Sequence, residues 1–115
     1  LCGSPKGWSE MELKLDDNGL FTAVVQDVDT KEVLMVAMMS PESLRLTQET
    51  GHATFWSRSR QMLWMKGETS GNVLDVQEIR IDCDQDAVLL QVKPRGPVCH
   101  TGNRRCFYRT LEEVQ

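Results

Sequence analysis

The run Val33-Leu34-Met35-Val36-Ala37-Met38-Met39 is unbroken apolar sequence, and it ends directly on Ser40-Pro41-Glu42. Seven residues are too few for a packed helix, and without polar alternation the run reads as a strand buried on both faces. The next three residues start a helix. Serine caps it, proline takes the first helical position, and glutamate sits at the positive end of the dipole. That helix runs to about Thr50 and stops at Gly51. The chain must therefore pass from an interior strand into one short helix laid on a sheet. Its other apolar runs are short and bounded by turn residues. Residues 20–28, 53–57, 62–66, 73–81 and 87–92 read as strands, with hairpin-length connectors at 29–32 and 58–61. Residues 67–72 form a glycine-punctuated loop, and Pro94 and Pro97 bracket a bend. In 73–81, Val73, Asp75, Gln77, Ile79 and Ile81 face one way and Leu74, Val76, Glu78 and Arg80 the other, so that strand is half-buried. Residues 106–108 lead into a last strand or turn, with room for a short C-terminal helix. The fold class is α+β: a compact, mostly β single domain over 19–115, with one clear helix at about 41–50. Residues 1–18 form a loose lead-in.

At 115 residues the chain builds one domain with a modest core, which a metal or a partner chain would help to stabilise. The net charge of −4 argues against general nucleic-acid binding, where a basic field supplies most of the affinity. No run of about 18 apolar residues suits a membrane. The first residues lack the apolar segment of a secretion signal, so a cytoplasmic location is the default. In that reducing compartment the four cysteines read better as ligands or free thiols than as disulfides. Cys2, far from the others, is expected to be a free thiol.

The densest chemistry is Asp82-Cys83-Asp84-Gln85-Asp86, followed by Cys99-His100 and Cys106. A calcium loop is excluded, because its sixth and twelfth positions would be Ala87 and Lys93 instead of glycine and glutamate. Mg²⁺ remains open, since two or three carboxylates plus water suffice for it. Alternate residues of a flat strand lie about 6.6 Å apart, so the three aspartates converge on one ion only if the segment curves. Strand alternation would also point Cys83 away from Asp82 and Asp84. Cys83, Cys99 and Cys106 supply three thiolates, the ligand count of a catalytic zinc site with one open position. His100 either completes that site or stays free to shuttle protons.

Taken together, FWSRSR, KGETSGN, DCDQD and CHTG resemble the phosphoribosyl-AMP cyclohydrolase family of histidine biosynthesis, and the likeness extends over roughly residues 21–109. The resemblance implies an obligate homodimer, one Mg²⁺ per subunit at Asp82, Asp84 and Asp86, and one Zn²⁺ per subunit at Cys83, Cys99 and Cys106. In the family the DCD cysteine comes from one subunit and the other two from its partner. The pyrophosphohydrolase domain fused to some relatives has no counterpart in these residues, so the monofunctional form is expected.

The implied reaction is attack of zinc-bound hydroxide at C6 of phosphoribosyl-AMP. It opens N1–C6 to give the formimino-aminoimidazole carboxamide ribotide, with His100 carrying a proton to the leaving nitrogen. Two substrate phosphates need cations, for which Arg58, Arg60, Lys66, Arg104 and Arg105 are candidates. Thr69, Ser70, Gly71 and Asn72 offer hydroxyl and backbone donors. Strand tryptophans such as Trp56 and Trp64 read as core before purine platforms, and His52 as a helix-end residue. Two rivals are weighed. A zinc nucleoside deaminase needs H-x-E and P-C-x-x-C, neither of which is present. A non-catalytic zinc module binding nucleotides or RNA fits the acidic balance and the cysteine spacing poorly.

Overall fold

The computed structural model describes residues 13–115; the expectations for residues 1–12, including the free Cys2, lie outside it. The strands are β1 (Phe21–Asp27), β2 (Val33–Met39), β3 (Thr54–Ser57), β4 (Met62–Met65), β5 (Leu74–Ile81) and β6 (Ala87–Pro94). Helix α1 spans Pro41–Thr50, and a single turn, α2, spans Leu111–Val114. One six-stranded sheet runs in the order β4-β3-β2-β1-β6-β5. All neighbours are antiparallel except β1 and β6, which run parallel from Thr22 beside Ala87 to Asp27 beside Val92. No helix among the described residues is long and apolar enough to cross a membrane.

Local chemistry sets the helix as the sequence indicates. The Ser40 hydroxyl accepts the Ser43 N–H, and the Ser43 hydroxyl accepts the Ser40 N–H in return. Gly51 ends the helix at φ 78°, a left-handed conformation that costs glycine little, and its N–H closes on the Thr47 carbonyl. The inner sheet face and α1 enclose the core, built on Phe21, Val25, Leu34, Met39, Leu44, Phe55, Leu74, Leu90 and Val92.

Three expectations need correction. First, β2 is interior in the sheet but not covered on both faces: Val33 is 40% and Val36 46% exposed. Val36 pairs with Val24, which pairs with Leu89; Met38 pairs with Trp56, which pairs with Leu63. These side chains make an apolar outer face that a single chain leaves open. Second, simple alternation fails in β5. The register shifts between Val76 and Glu78, so Val76 and then Ile79 and Ile81 all pack on the core. A bulge adds one residue and flips the face, which a period-2 reading cannot anticipate. Third, of the strand or turn expected at residues 106–108, no strand forms: the chain bends at Cys106, and Phe107 is 56% exposed.

Candidate active site

The acidic segment is a turn. β5 ends at Ile81, β6 starts at Ala87, and Gln85 takes φ 63° to close the reversal. The Asp82 N–H bonds the Ala87 carbonyl at 3.1 Å, and Asp82 Oδ1 accepts the Asp86 and Ala87 N–H groups at 3.0 and 3.3 Å. The turn supplies the curvature that convergence requires: ligand atoms of Asp82, Asp84 and Asp86 lie within 4.8 Å of one another. Strand alternation therefore does not govern Cys83, which is exposed with its thiol 3.7 Å from Asp84 Oδ1. Desolvation alone would raise the Asp82 pKa, but its hydrogen bonds with Asp86 and the turn amides bring it below the ordinary value. Asp86 moves up, through its hydrogen bond to Asp82 and the repulsion between them. Crowded carboxylates with opposed shifts suit a hard divalent cation, whose charge would relieve the repulsion.

Cys99 and Cys106 meet at the opposite end of β1. Leu34 is the extra residue where the β1–β2 register shifts, and its carbonyl accepts the Cys106 N–H at 2.7 Å. A tight loop shapes the intervening segment, with Cys99 N–H on the Asn103 carbonyl and Val98 N–H on the Arg104 carbonyl. The Thr101 hydroxyl donates to Cys99 Sγ at 3.0 Å and, foremost among several causes, lowers the Cys99 pKa. Desolvation and the adjacent Cys99 push the Cys106 thiol up. Two adjacent sulfurs, one of them eased toward the thiolate by Thr101, suit a thiophilic cation.

Cys83 cannot join that pair within one chain. Ala87 lies beside Thr22, whereas Leu34 lies at the Val25–Gln26 bulge. Those points are on the order of 10 Å apart along β1, and Cys83 lies beyond the near one. Two sulfurs on one zinc sit within about 4.6 Å.

A cleft of about 600 Å³ opens beside the thiol pair. Its lining brings together Arg60, Lys66, Thr69, Ser70, Asn72, Cys99 and His100 from the 60–72 and 97–102 segments. Gly71 donates its N–H to the Gly67 carbonyl at 2.8 Å and closes the loop from behind. Trp64 combines two roles: it packs on Phe55 at 5.3 Å and also lines the cleft, with Lys66 Nζ 5.8 Å from its ring centre. Glu68, which the sequence reading passed over, also lines the cleft and accepts the Met65 N–H at 3.1 Å. Its place inside KGETSGN was the available signal.

Three predicted cations lie elsewhere. Arg58 lines a separate cleft with Ser40, Glu42, Trp56 and Gln61. Arg104 is held by Asp27 Oδ2 at 2.6 Å and Glu32 Oε1 at 2.7 Å, and Arg105 pairs with Glu32 Oε2. Carboxylates at the β1–β2 turn thus occupy both guanidinium groups.

His52 also does more than meet a helix end. Its Nε2 lies 3.2 Å from Asp75 Oδ1, and Arg95 grips the same carboxylate with two bonds at 2.7 and 2.9 Å. The Arg95 hydrogen bond leads the causes that hold Asp75 below its ordinary 3.8. A carboxylate depressed in the folded state contributes stability above the unfolded pKa and loses it as pH falls through the folded one. Asp75→Asn should therefore lower the urea midpoint at about pH 6, and the difference from the unaltered chain should shrink as pH falls through the folded-state pKa of Asp75.

A concave site grouping basic, hydroxyl and thiol side chains at one sheet end is the form of a small enzyme domain for a polar, anionic ligand. Comparison with known proteins narrows that class. The family model described as phosphoribosyl-AMP cyclohydrolase matches residues 35–108. The phosphoribosyl-AMP cyclohydrolase of Erythrobacter litoralis is 63% identical over 99 residues, covering 86% of this chain and 79% of that protein. The Archaeoglobus fulgidus cyclohydrolase is 59% identical over 102 residues, covering 89% and 94%. A bifunctional histidine biosynthesis protein of Caldanaerobacter subterraneus is 58% identical over 102 residues, covering 89% of this chain and 50% of that longer protein. The chain belongs to the phosphoribosyl-AMP cyclohydrolase family, enzymes of histidine biosynthesis.

Proposed function

We propose that the chain opens the purine ring of phosphoribosyl-AMP at N1–C6 in the cleft beside Cys99 and Cys106. The observation that carries this reading is the meeting of Cys99, which neighbours Cys106, with His100, Lys66, Arg60, Thr69, Ser70 and Asn72 around one cavity. Hydrolysis adds water to C6 and passes through a tetrahedral carbon, and the departing nitrogen must gain a proton. His100 lines the cleft, and its imidazole nitrogens are able to accept and donate that proton. Lys66 and Arg60 bring cationic charge to substrate phosphate, and the Thr69 and Ser70 hydroxyls add hydrogen bonds. The Trp64 ring gives the purine an apolar wall.

Zinc would be held by Cys99 and Cys106 of one protomer and the DCD cysteine, Cys83, of a second. Bound there, it supplies Lewis acidity that makes water a competent nucleophile near neutral pH. Mg²⁺ would sit at Asp82, Asp84 and Asp86, whose atoms already converge. The homodimer in this reading covers the outer face around Val24, Val36, Met38 and Trp56, and so explains why the 33–39 run is apolar on both sides. An isologous interface through that face would bring each Cys83 to the other chain by symmetry.

The test is direct. Zinc-replete protein in Mg²⁺ should convert N1-phosphoribosyl-AMP with the ultraviolet change of ring opening, and a strong chelator should abolish it. No turnover by the replete protein overturns the reading. Release of ammonia would point to deamination instead.

A further inference from the structure

The 98–106 segment carries both thiols, yet it contains neither strand nor helix. Its backbone joins the sheet at Cys106, whose N–H meets the Leu34 carbonyl. Its side-chain ties to the sheet run through Arg104 and Arg105 to the β1–β2 turn. Asp27 stands at the centre of that connection. The residue is 5% exposed, and its two oxygens do different work. Oδ1 accepts the Asp29 and Thr30 N–H groups at 2.8 and 3.2 Å and shapes the turn. Oδ2 receives the Arg104 guanidinium at 2.6 Å. The same guanidinium also reaches Glu32 at 2.7 Å and Thr30 Oγ1 at 3.3 Å, so it cannot swing away without breaking three contacts.

We infer that Asp27 is a positioning residue: with Glu32 it clamps Arg104 and Arg105, and the clamp holds Cys106 against Cys99. Arg104 also lends its carbonyl to Val98, one residue before Cys99. Both ends of the thiol pair therefore hang on one side chain. Without the clamp, the Arg104–Cys106 stretch would keep a single backbone bond to the sheet, and the two sulfurs would drift apart. The two arginines thus act on the reaction through the cysteines, with their charge spent on carboxylates of the same chain. The consequence for zinc rests on the proposed function; the closed thiol pair does not.

The experiment reads the pair with and without zinc. A trivalent phenylarsenical bridges only neighbouring thiols, so the zinc-free full chain should capture it with or without Cys83→Ala, and Cys83→Ala/Cys106→Ala should not. Asp27→Asn keeps an oxygen for the turn amides but removes the charge facing Arg104. It should weaken arsenical capture and speed Zn²⁺ release to a chromogenic chelator by about ten- to hundredfold, the usual effect of losing a partner behind a metal ligand. Arg104→Gln, altered at the half-exposed end of the same pair, should do likewise and guards against a folding defect at the buried end. Asp75→Asn, which breaks a pair that makes no contact with Arg104 or Arg105, should change stability but leave capture unchanged. Wild-type capture and Zn²⁺ release in both clamp variants overturn the inference, as does failure of the unaltered chain to capture the arsenical. Weakened capture in both clamp variants, with no Zn²⁺ binding by the unaltered chain, would uphold the clamp and overturn the zinc reading alone.

Discussion

Cys83→Ala protein and Cys106→Ala protein, each inactive alone, should regain turnover when mixed. The expectation rests on distance. Cys83 lies on the β5–β6 turn at the Thr22 end of β1, and Cys106 docks at the Leu34 bulge near the other end. The intervening strand, on the order of 10 Å, exceeds what one zinc ion can bridge. If three thiols share an ion, they come from two chains. A mixed dimer then holds one site lacking both cysteines and one intact site. With random exchange the mixture should reach about a quarter of wild-type activity, the share of sites left whole when half the chains pair with the other variant. Mixing must include partial unfolding and refolding so that chains exchange, with zinc content measured alongside rate. Exchanged dimers that stay inactive would rule out a shared site. Activity in either variant alone would show that its missing thiol is dispensable.

Gly67→Ala should be the most damaging single-methyl change in the cleft. Gly67 has φ 84°, and a Cβ there would fall 2.3 Å from the Asn72 carbonyl carbon and 2.4 Å from the Val73 nitrogen. These are backbone atoms, so no side chain can rotate away. The loop would have to open, carrying Thr69, Ser70 and Asn72 out of the cleft lining. Left-handed strain costs about 1–3 kcal/mol, and overpacking adds about 1–3 kcal/mol. That sum is a large part of the roughly 5–15 kcal/mol that hold a domain together. Gly71→Ala is the control. Its φ is 83° but nothing lies within 4 Å of the added methyl, so only the strain applies. Urea midpoints should fall further for Gly67→Ala, with kcat/KM falling alongside. Equal effects from the two variants would mean that the close approach to Asn72 carries no weight.

The elements were readable because they rest on local chemistry. Ser40, Pro41 and Gly51 start and stop α1 within a few residues of one another, and the strand bounds agree to within a residue or two. The acidic cluster was readable as a ligand set for the same reason, since five successive residues carry it. Its shape was not. Alternation treats residues 82–86 as a strand, whereas Gln85 in the left-handed region makes them a turn, and only a turn lets the carboxylates converge. The bulge at Gln77 escaped the pattern because one inserted residue reverses every later side chain.

Arg104 and Arg105 mark the limit most clearly. In the sequence they are basic residues beside a cysteine, and phosphate is a sound partner for them. In the structure their charge is met by Asp27 and Glu32, which precede them by more than seventy positions. Such pairings depend on the parallel docking of β6 against β1, which brings the end of the chain to the β1–β2 turn. The sequence alone determined the helix, the run of strands, the kinds of ligand atoms and the family to which they belong, because each is written in neighbouring residues. Tertiary structure decided which of those atoms meet: Cys99 with Cys106, Lys66 and His100 with the 69–72 loop, and Cys83 with none of them in its own chain. Those contacts cross the sheet, and their geometry comes from strand order and register.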